Sequence, residues 1–138
     1  RATVTASITM EKETKFLLEN AEKPGVMITA SGLQYKVIRE GIGLSPDDND
    51  TIVVHYKGSL VDGKVFDSSY ERNEPITITA GQVIPGWGEG LKLMKAGGQY
   101  ELYIPQNLAY GEHGAGGVIP PFATLIFEME VVEIKPAN

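Results

Sequence analysis

TIVVHYKGSL, residues 51–60, is the strongest strand candidate in the chain. It is rich in β-branched and aromatic side chains, which favour a pleated, half-buried strand. Behind it, Val61-Asp62-Gly63-Lys64 carries an Asp-Gly turn signal, and Val65 and Phe66 begin a second, short strand. Upstream, Leu33, Tyr35 and Val37 alternate with Gln34 and Lys36, a period of two that marks another strand. Downstream, Ile76 to Thr79, Gln99 to Ile104 and Thr124 to Ile134 read as strands, the last with Leu125, Phe127, Met129 and Val131 on one face. Loops rich in Gly, Pro and polar residues separate them at 41–49, 67–75 and 106–121.

Two segments read as helices. Pro85 to Met94 places Trp87, Leu91 and Met94 on one apolar face, and Gly97-Gly98 ends it. Its three glycines, Gly86, Gly88 and Gly90, each lower helix propensity by about 1 kcal/mol. Met10 to Ala21 is the other, with Thr9 as its cap and Pro24-Gly25 as its stop. Its apolar members are Met10, Phe16, Leu17, Leu18 and Ala21, a narrow stripe that would be marginal alone in water. The loops permit antiparallel pairing and no βαβ alternation is present. The prediction is therefore an α+β fold: a five- or six-stranded antiparallel sheet curled around one short helix, with an N-terminal helix.

The charge pattern places a boundary. Residues 1–31 hold four basic and four acidic side chains, whereas residues 32–138 hold eight and fourteen and carry the whole net charge of −6. Residues 1–31 are expected to be an extension and residues 32–138 the main domain. Arg1 is not an initiator Met, and no charged segment runs into an apolar core, so the sequence reads as a processed or trimmed chain.

Composition excludes several classes of chemistry. Among 138 residues, 42% are hydrophobic, 22% are charged and none is Cys, so thiol catalysis, disulfide scaffolds and Cys-based metal sites are out. Only His55 and His113 are present, without ligand spacing. An acidic chain without a basic block is a poor match for nucleic acid. No apolar run reaches the roughly 20 residues of a membrane helix. No Walker sequence or G-x-S-x-G elbow occurs, and Asp47, Asp48 and Asp50 lack EF-hand spacing. No metal and no cofactor is expected. His55 reads as a structural, hydrogen-bonded histidine and His113 as solvated. What stands out is aromatic: Tyr56, Phe66, Trp87, Tyr110 and Phe127 occur one per element. Core packing accounts for such a set, and so does an apolar pocket with a few polar groups.

Three signatures carry a resemblance. Val54-His55-Tyr56-Lys57-Gly58 with Gly63-Lys64-Val65-Phe66-Asp67-Ser68-Ser69, then Val83-Ile84-Pro85-Gly86-Trp87-Gly88-Glu89-Gly90-Leu91, then Leu108-Ala109-Tyr110-Gly111 with Ile119-Pro120-Pro121 and Ala123-Thr124-Leu125-Ile126-Phe127, resemble the FKBP-type peptidyl-prolyl cis-trans isomerases. They come in the family's order and span residues 32–138 almost without a gap. Residues 10–38, a helix, a break and Ser31-Gly32-Leu33-Gln34-Tyr35-Lys36-Val37, resemble the lead-in of the bacterial macrophage infectivity potentiator group.

The resemblance implies a sheet wrapped around a short helix with an apolar pocket between them. Carried across by position, Trp87 would be the pocket floor and Tyr56, Phe66 and Phe127 its walls, with Val83 beside them. The Ile84 N–H and the Tyr110 hydroxyl would bond the bound chain. Asp67 would lie near the reacting carbonyl, held by Tyr56 and Arg72. Ile119 would belong to the loop over the pocket. Ile76 stands where an aromatic wall is usual, Gln82 where an acidic rim residue is, and Ala115 where a His is frequent; these alter affinity and sequence preference more than activity. The implied partners are proline-containing polypeptides and macrolide inhibitors such as rapamycin, with a homodimer through N-terminal helices if the full-length protein carries them. A bacterial periplasm or cell envelope is the expected location. Two other readings stay open: a folding chaperone or binding module with weak turnover, and an adhesion or virulence-surface protein.

Overall fold

In chain order the computed structural model contains α1 (Val4–Ala21), β1 (Val26–Ile28), β2 (Gln34–Arg39), β3 (Thr51–Leu60), β4 (Val65–Ser68), β5 (Ile76–Thr79), α2 (Pro85–Leu91), β6 (Gln99–Ile104) and β7 (Leu125–Lys135). It describes residues 4–137; the first three residues of the expected extension and the last residue of the chain lie outside. The strands form one sheet in the order β1-β2-β6-β7-β3-β4, with β5 also on β3. Every pairing is antiparallel. β3 is the spine. One of its sides takes the whole length of β7, and the other is shared between β5 at Thr51–Val54 and β4 at Lys57–Ser59.

One face of β3 is buried at every second residue, through Ile52, Val54, Tyr56, Gly58 and Leu60. β7 adds Leu125, Phe127, Met129 and Val131 to the same core. α2 lies on that face with Trp87 and Leu91 buried, and Met94 follows them inward from the turn after the helix. Regular helix stops at Leu91 rather than reaching Met94. The next residues continue as a turn, in which the Met94 N–H bonds the Leu91 carbonyl at 3.0 Å.

The glycines of α2 are explained by distance, not by propensity. A Cβ on Gly86 would collide with Ile104, and one on Gly90 would sit 2.5 Å from Leu102 Cδ1. Gly86 and Gly90 are one turn apart and so form a strip without side chains, on which the helix lies directly against β6. The loss in helix propensity is the cost of that close approach.

Two differences from the sequence reading stand out. The sheet has seven strands because Val26–Ile28 pairs with Gln34–Lys36, across the expected boundary at residue 31. Three residues are too short to display a period. The N-terminal helix runs from Val4, not from Met10, which corrects the expected range of 10–21. Thr9 is inside the helix, and its hydroxyl donates to the Thr5 carbonyl at 3.0 Å instead of capping.

The docked side of α1 also differs from the apolar stripe. Met10 and Leu18 are exposed, while Thr9, Glu13, Phe16, Leu17 and Asn20 turn inward at helical spacing. The contact is mostly polar. Asn20, 1% exposed, donates through Nδ2 to Gln34 Oε1 at 2.8 Å, and Gln34 Nε2 donates to the Leu17 carbonyl at 2.9 Å. Glu13 accepts the backbone N–H of Thr124 at the start of β7.

Replacing Gly90 by Ala separates two physical effects. Propensity alone would stabilise α2 by about 1 kcal/mol, whereas overpacking against a fully buried Leu102 costs about 1–3 kcal/mol. The Gly90→Ala protein should unfold at lower urea than the parent; a raised midpoint would contradict the close-approach account.

Candidate functional site

Between α2 and the concave face of the sheet lies a pocket of about 410 Å³. Tyr56 comes from β3, Phe66 and Asp67 from β4, Ile76 and Ile78 from β5, and Phe127 from β7. Gln82, Val83 and Ile84 enter from the turn before α2, Trp87 from its first turn, and Tyr110 from the loop after β6. Nine of the eleven expected site residues, distant in sequence, thus meet in one cavity.

The aromatic rings brace one another. Trp87 meets Tyr56 at 5.1 Å and 72°, and Phe127 at 5.2 Å and 83°. Phe66 stands on Phe127 at 5.6 Å and 90°. Such edge-to-face pairs are worth about 0.5–1.5 kcal/mol each beyond burial, so the walls are rigid without a ligand. Trp87 is held low in the pocket because it lies between Gly86 and Gly88 on the side of α2 nearest the sheet. Its indole N–H is buried and reaches no acceptor among the described residues; the ring serves as an apolar surface.

Gly58 is a supporting residue that sequence reasoning named only as part of a motif. A Cβ there would lie 2.6 Å from Phe66 Cζ and 2.7 Å from Phe127 Cε1. Its signal was a lone glycine inside an otherwise β-branched strand, which marks close approach by something else. Ile78 is a second omission. It lines the pocket two residues after Ile76, as strand alternation requires.

At one side of the pocket the polar groups form a closed triangle. The Tyr56 hydroxyl donates to Asp67 Oδ2 at 2.5 Å. Arg72 donates from one nitrogen to Asp67 Oδ1 at 2.6 Å and from the other to the Tyr56 hydroxyl oxygen at 3.0 Å. Burial pushes the Asp67 carboxyl up, but the bonds from Tyr56 and Arg72 outweigh it and hold it below the ordinary carboxylate range. Burial and the bond to Asp67 raise the Tyr56 hydroxyl. The Asp67–Arg72 pair is nearly half exposed, and a pair of that kind adds only about 0–1 kcal/mol to stability. Its effect is orientation: both oxygens of Asp67 are engaged and Tyr56 is fixed against the rings.

Two expected residues stand outside the cavity wall. Arg72 acts on the site through Asp67 and Tyr56. Ile119 is in the 111–122 loop but is buried in the core, where its N–H and carbonyl pair with Ala115. His55 is satisfied as expected: Nδ1 lies 2.8 Å from Ser69 Oγ and the ring stacks on Tyr70 at 4.7 Å. The Ser69 hydroxyl also accepts the Tyr56 N–H at 2.7 Å, tying the chain after β4 to the strand that carries Tyr56. The Ile84 N–H and the Tyr110 hydroxyl find no partner among the described residues, so both are available at the rim.

A family model described as "FKBP-type peptidyl-prolyl cis-trans isomerase" matches residues 43–132, and one described as "Domain amino terminal to FKBP-type peptidyl-prolyl isomerase" matches residues 2–37. The chain is 57% identical over 120 residues to the FKBP-type 22 kDa peptidyl-prolyl cis-trans isomerase of Escherichia coli strain K12, covering 87% of this chain and 58% of that protein. To the peptidyl-prolyl cis-trans isomerase Mip of Coxiella burnetii it is 50% identical over 125 residues, covering 91% of this chain and 54% of that one. The 1.6 Å crystal structure of a peptidyl-prolyl cis-trans isomerase from Pseudomonas syringae pv. tomato superposes with a TM-score of 0.89 at 35% identity, covering 98% of this chain and 99% of that one. The chain spans about half the length of the curated relatives it matches.

Two measurements check the site. Gly58→Ala should displace Phe66 and Phe127 and lower stability by about 1–3 kcal/mol; unchanged tryptophan fluorescence and urea midpoint would refute the contact. The low Asp67 pKa means that its contribution is complete above the ordinary carboxylate value of about 4 and is lost as pH falls through the lower folded value. Titration of Asp67 followed by NMR should therefore show no step between pH 5 and 8, and a step below about 4.

Proposed function

The chain belongs to the family of FKBP-type peptidyl-prolyl cis-trans isomerases, and on that premise we propose that it accelerates rotation about Xaa-Pro bonds in polypeptides and so assists their folding. The observation that carries the proposal is the pocket itself: a cup of mutually braced aromatic rings, with the Ile84 N–H and the Tyr110 hydroxyl free at its rim.

The chemistry asks for little more. Rotation about a peptide bond is opposed by about 18–20 kcal/mol of lost resonance, and Xaa-Pro bonds exchange in tens to hundreds of seconds unaided. No covalent bond is exchanged, so no nucleophile is needed. The catalyst must bind the twisted amide better than either planar form. The twisted amide is less polar, because resonance no longer separates its charge. A cup of Tyr56, Phe66, Trp87 and Phe127 therefore disfavours the planar amide more than the twisted one. Trp87 takes the prolyl ring. Val83, Ile76 and Ile84 border it, and the Ile84 N–H donates to a carbonyl of the bound chain. Tyr110 donates from the opposite rim. Two such grips hold the chain while the bond turns. Asp67, ionised and fixed by Tyr56 and Arg72, sets the field at the reacting carbonyl and transfers no proton. Ile119, packed under the rim loop, holds that loop in place.

The rest of the proposal concerns partners and place. Macrolides of the rapamycin type would compete for the same cup. A longer chain would dimerise through N-terminal helices, for which the exposed Val4, Ile8 and Leu18 of α1 offer apolar surface. Residues 32–138 would act as the isomerase domain with 1–31 as its lead-in, in a bacterial periplasm or envelope. No helix among the described residues is long and apolar enough to cross a membrane.

Conversion of a short Xaa-Pro peptide from cis to trans, with and without rapamycin, tests the function. Fast conversion that the macrolide abolishes is expected. Asp67→Ala should slow turnover about tenfold with little change in the urea midpoint, and Trp87→Leu should weaken macrolide binding while the fold persists. Parent-like turnover and macrolide binding in both variants would refute the pocket assignment. No turnover from a folded parent would leave a binding or chaperone module.

A further inference from the structure

A second groove, of about 420 Å³, opens beside the aromatic pocket. It is lined by Thr51, Thr77, Ile78, Thr79, Gln82 and Val83. Ile78, Gln82 and Val83 line both cavities, so the two adjoin at these residues.

Its position follows from strand geometry. Successive residues of a strand point to opposite faces of a sheet. Thr77, Ile78 and Thr79 are successive in β5, and all three line this groove. A cavity lined from both faces of one strand wraps an edge or an end of that strand. One edge of β5 is occupied, since Thr51–Val54 of β3 pairs with Ile76–Thr79. Its other edge pairs with no strand among the described residues. Because it also reaches Thr51, the partner of Thr79, the groove wraps the Thr79 end of β5, where the free row of backbone donors and acceptors adjoins the mouth of the prolyl cup.

Its chemistry is that of a backbone site. The lining holds no ionisable side chain: three threonine hydroxyls, one glutamine amide and two aliphatic side chains. Such a surface recognises a main chain in extended form and is indifferent to the charge of its side chains. The residue before a proline is itself biased to extended backbone. A polypeptide whose proline sits on Trp87 must leave the cup somewhere, and a chain that crosses the shared wall of Ile78, Gln82 and Val83 reaches this edge.

We propose that β5 is a docking edge for the substrate polypeptide itself: residues flanking the proline lie along the groove as an added strand and bond the free edge of Ile76–Thr79. The inference rests on the isomerase reading of the adjoining pocket. It makes β5 a determinant of which substrates are favoured, through the length and backbone of the chain around the proline. Addition of a strand to an exposed edge is an established way for proteins to hold peptides, and the short length of β5 keeps the edge from pairing with other sheets.

Three kinds of peptide and one spectrum test this on the unmodified protein. The first peptide carries Xaa-Pro with one residue on each side. The second extends it by four residues before the proline or after it. The third is the extended peptide with alternate backbone nitrogens methylated, which removes donors and leaves the side chains. One direction of extension should raise kcat/KM at least about fivefold through KM, the worth of one net hydrogen bond, and methylation should abolish the gain. The amide resonances of Ile76–Thr79 should shift with the extended peptide and not with the short one. No gain from either extension, a gain that survives methylation, or unshifted β5 amides would each overturn the proposal. If the short peptide is not isomerised at all, the isomerase reading fails, and the β5 amides with the extended peptide still decide the groove.

Discussion

The closeness of α2 to the sheet is the constraint on which the rest of the structure depends. Gly86 and Gly90 remove the side chains that would otherwise stand between the helix and Ile104 and Leu102. Trp87 is carried on this seated helix, so its depth is set by backbone packing and not by a flexible side chain. A helix raised by the width of a methyl group would lift the floor of the pocket, and the contacts of Trp87 with Tyr56 and Phe127 would open together. Interiors packed at crystal-like density transmit such shifts rather than absorbing them. The same logic applies to Gly58, where the strand gives up a side chain so that Phe66 and Phe127 can lie across it. Three glycines that look like weaknesses in a helix and a strand set the dimensions of the site.

Polar groups then fix what packing alone would leave free. The Tyr56–Asp67–Arg72 triangle engages the Tyr56 hydroxyl, both Asp67 oxygens and two Arg72 nitrogens. Its energy as a surface pair is small, so its value is in holding a ring and a carboxylate at fixed angles beside the cup. Ser69 and His55 secure the chain just beyond Asp67 to β3. The braced rings and the closed polar triangle together give the cup one fixed shape.

The N-terminal helix is joined to this body by a different kind of contact. Few large apolar side chains of α1 are buried. Asn20 and Gln34 form a buried amide pair, and Glu13 reaches the start of the strand that carries Phe127. Directional bonds specify one position for the helix while burying little apolar surface. The helix is thereby set on the sheet beside the loop and strand that bound the pocket.

Much of the sheet was legible in the sequence. The alternation in residues 33–37 and 125–131 and the β-branched run at 51–60 mark strands by side-chain chemistry alone, and the aromatic set with Asp67 and Arg72 was readable through its resemblance to a family. The rest depended on contacts that no local pattern records. β1 is three residues long, and pairing with β2, not composition, makes it a strand. α1 reaches back to Val4, and because its docked face is largely polar no apolar stripe marks its start. Gly86 and Gly90 read as helix-weakening glycines, and Gly58 as a lone strand glycine, but only the structure shows which neighbours they admit. The sequence by itself determined which residues could form the cup, since side-chain type sets strand, helix and polarity locally. The tertiary structure alone decided how close those residues come and that a free strand edge opens beside them, because distance between elements far apart in the chain is a property of packing.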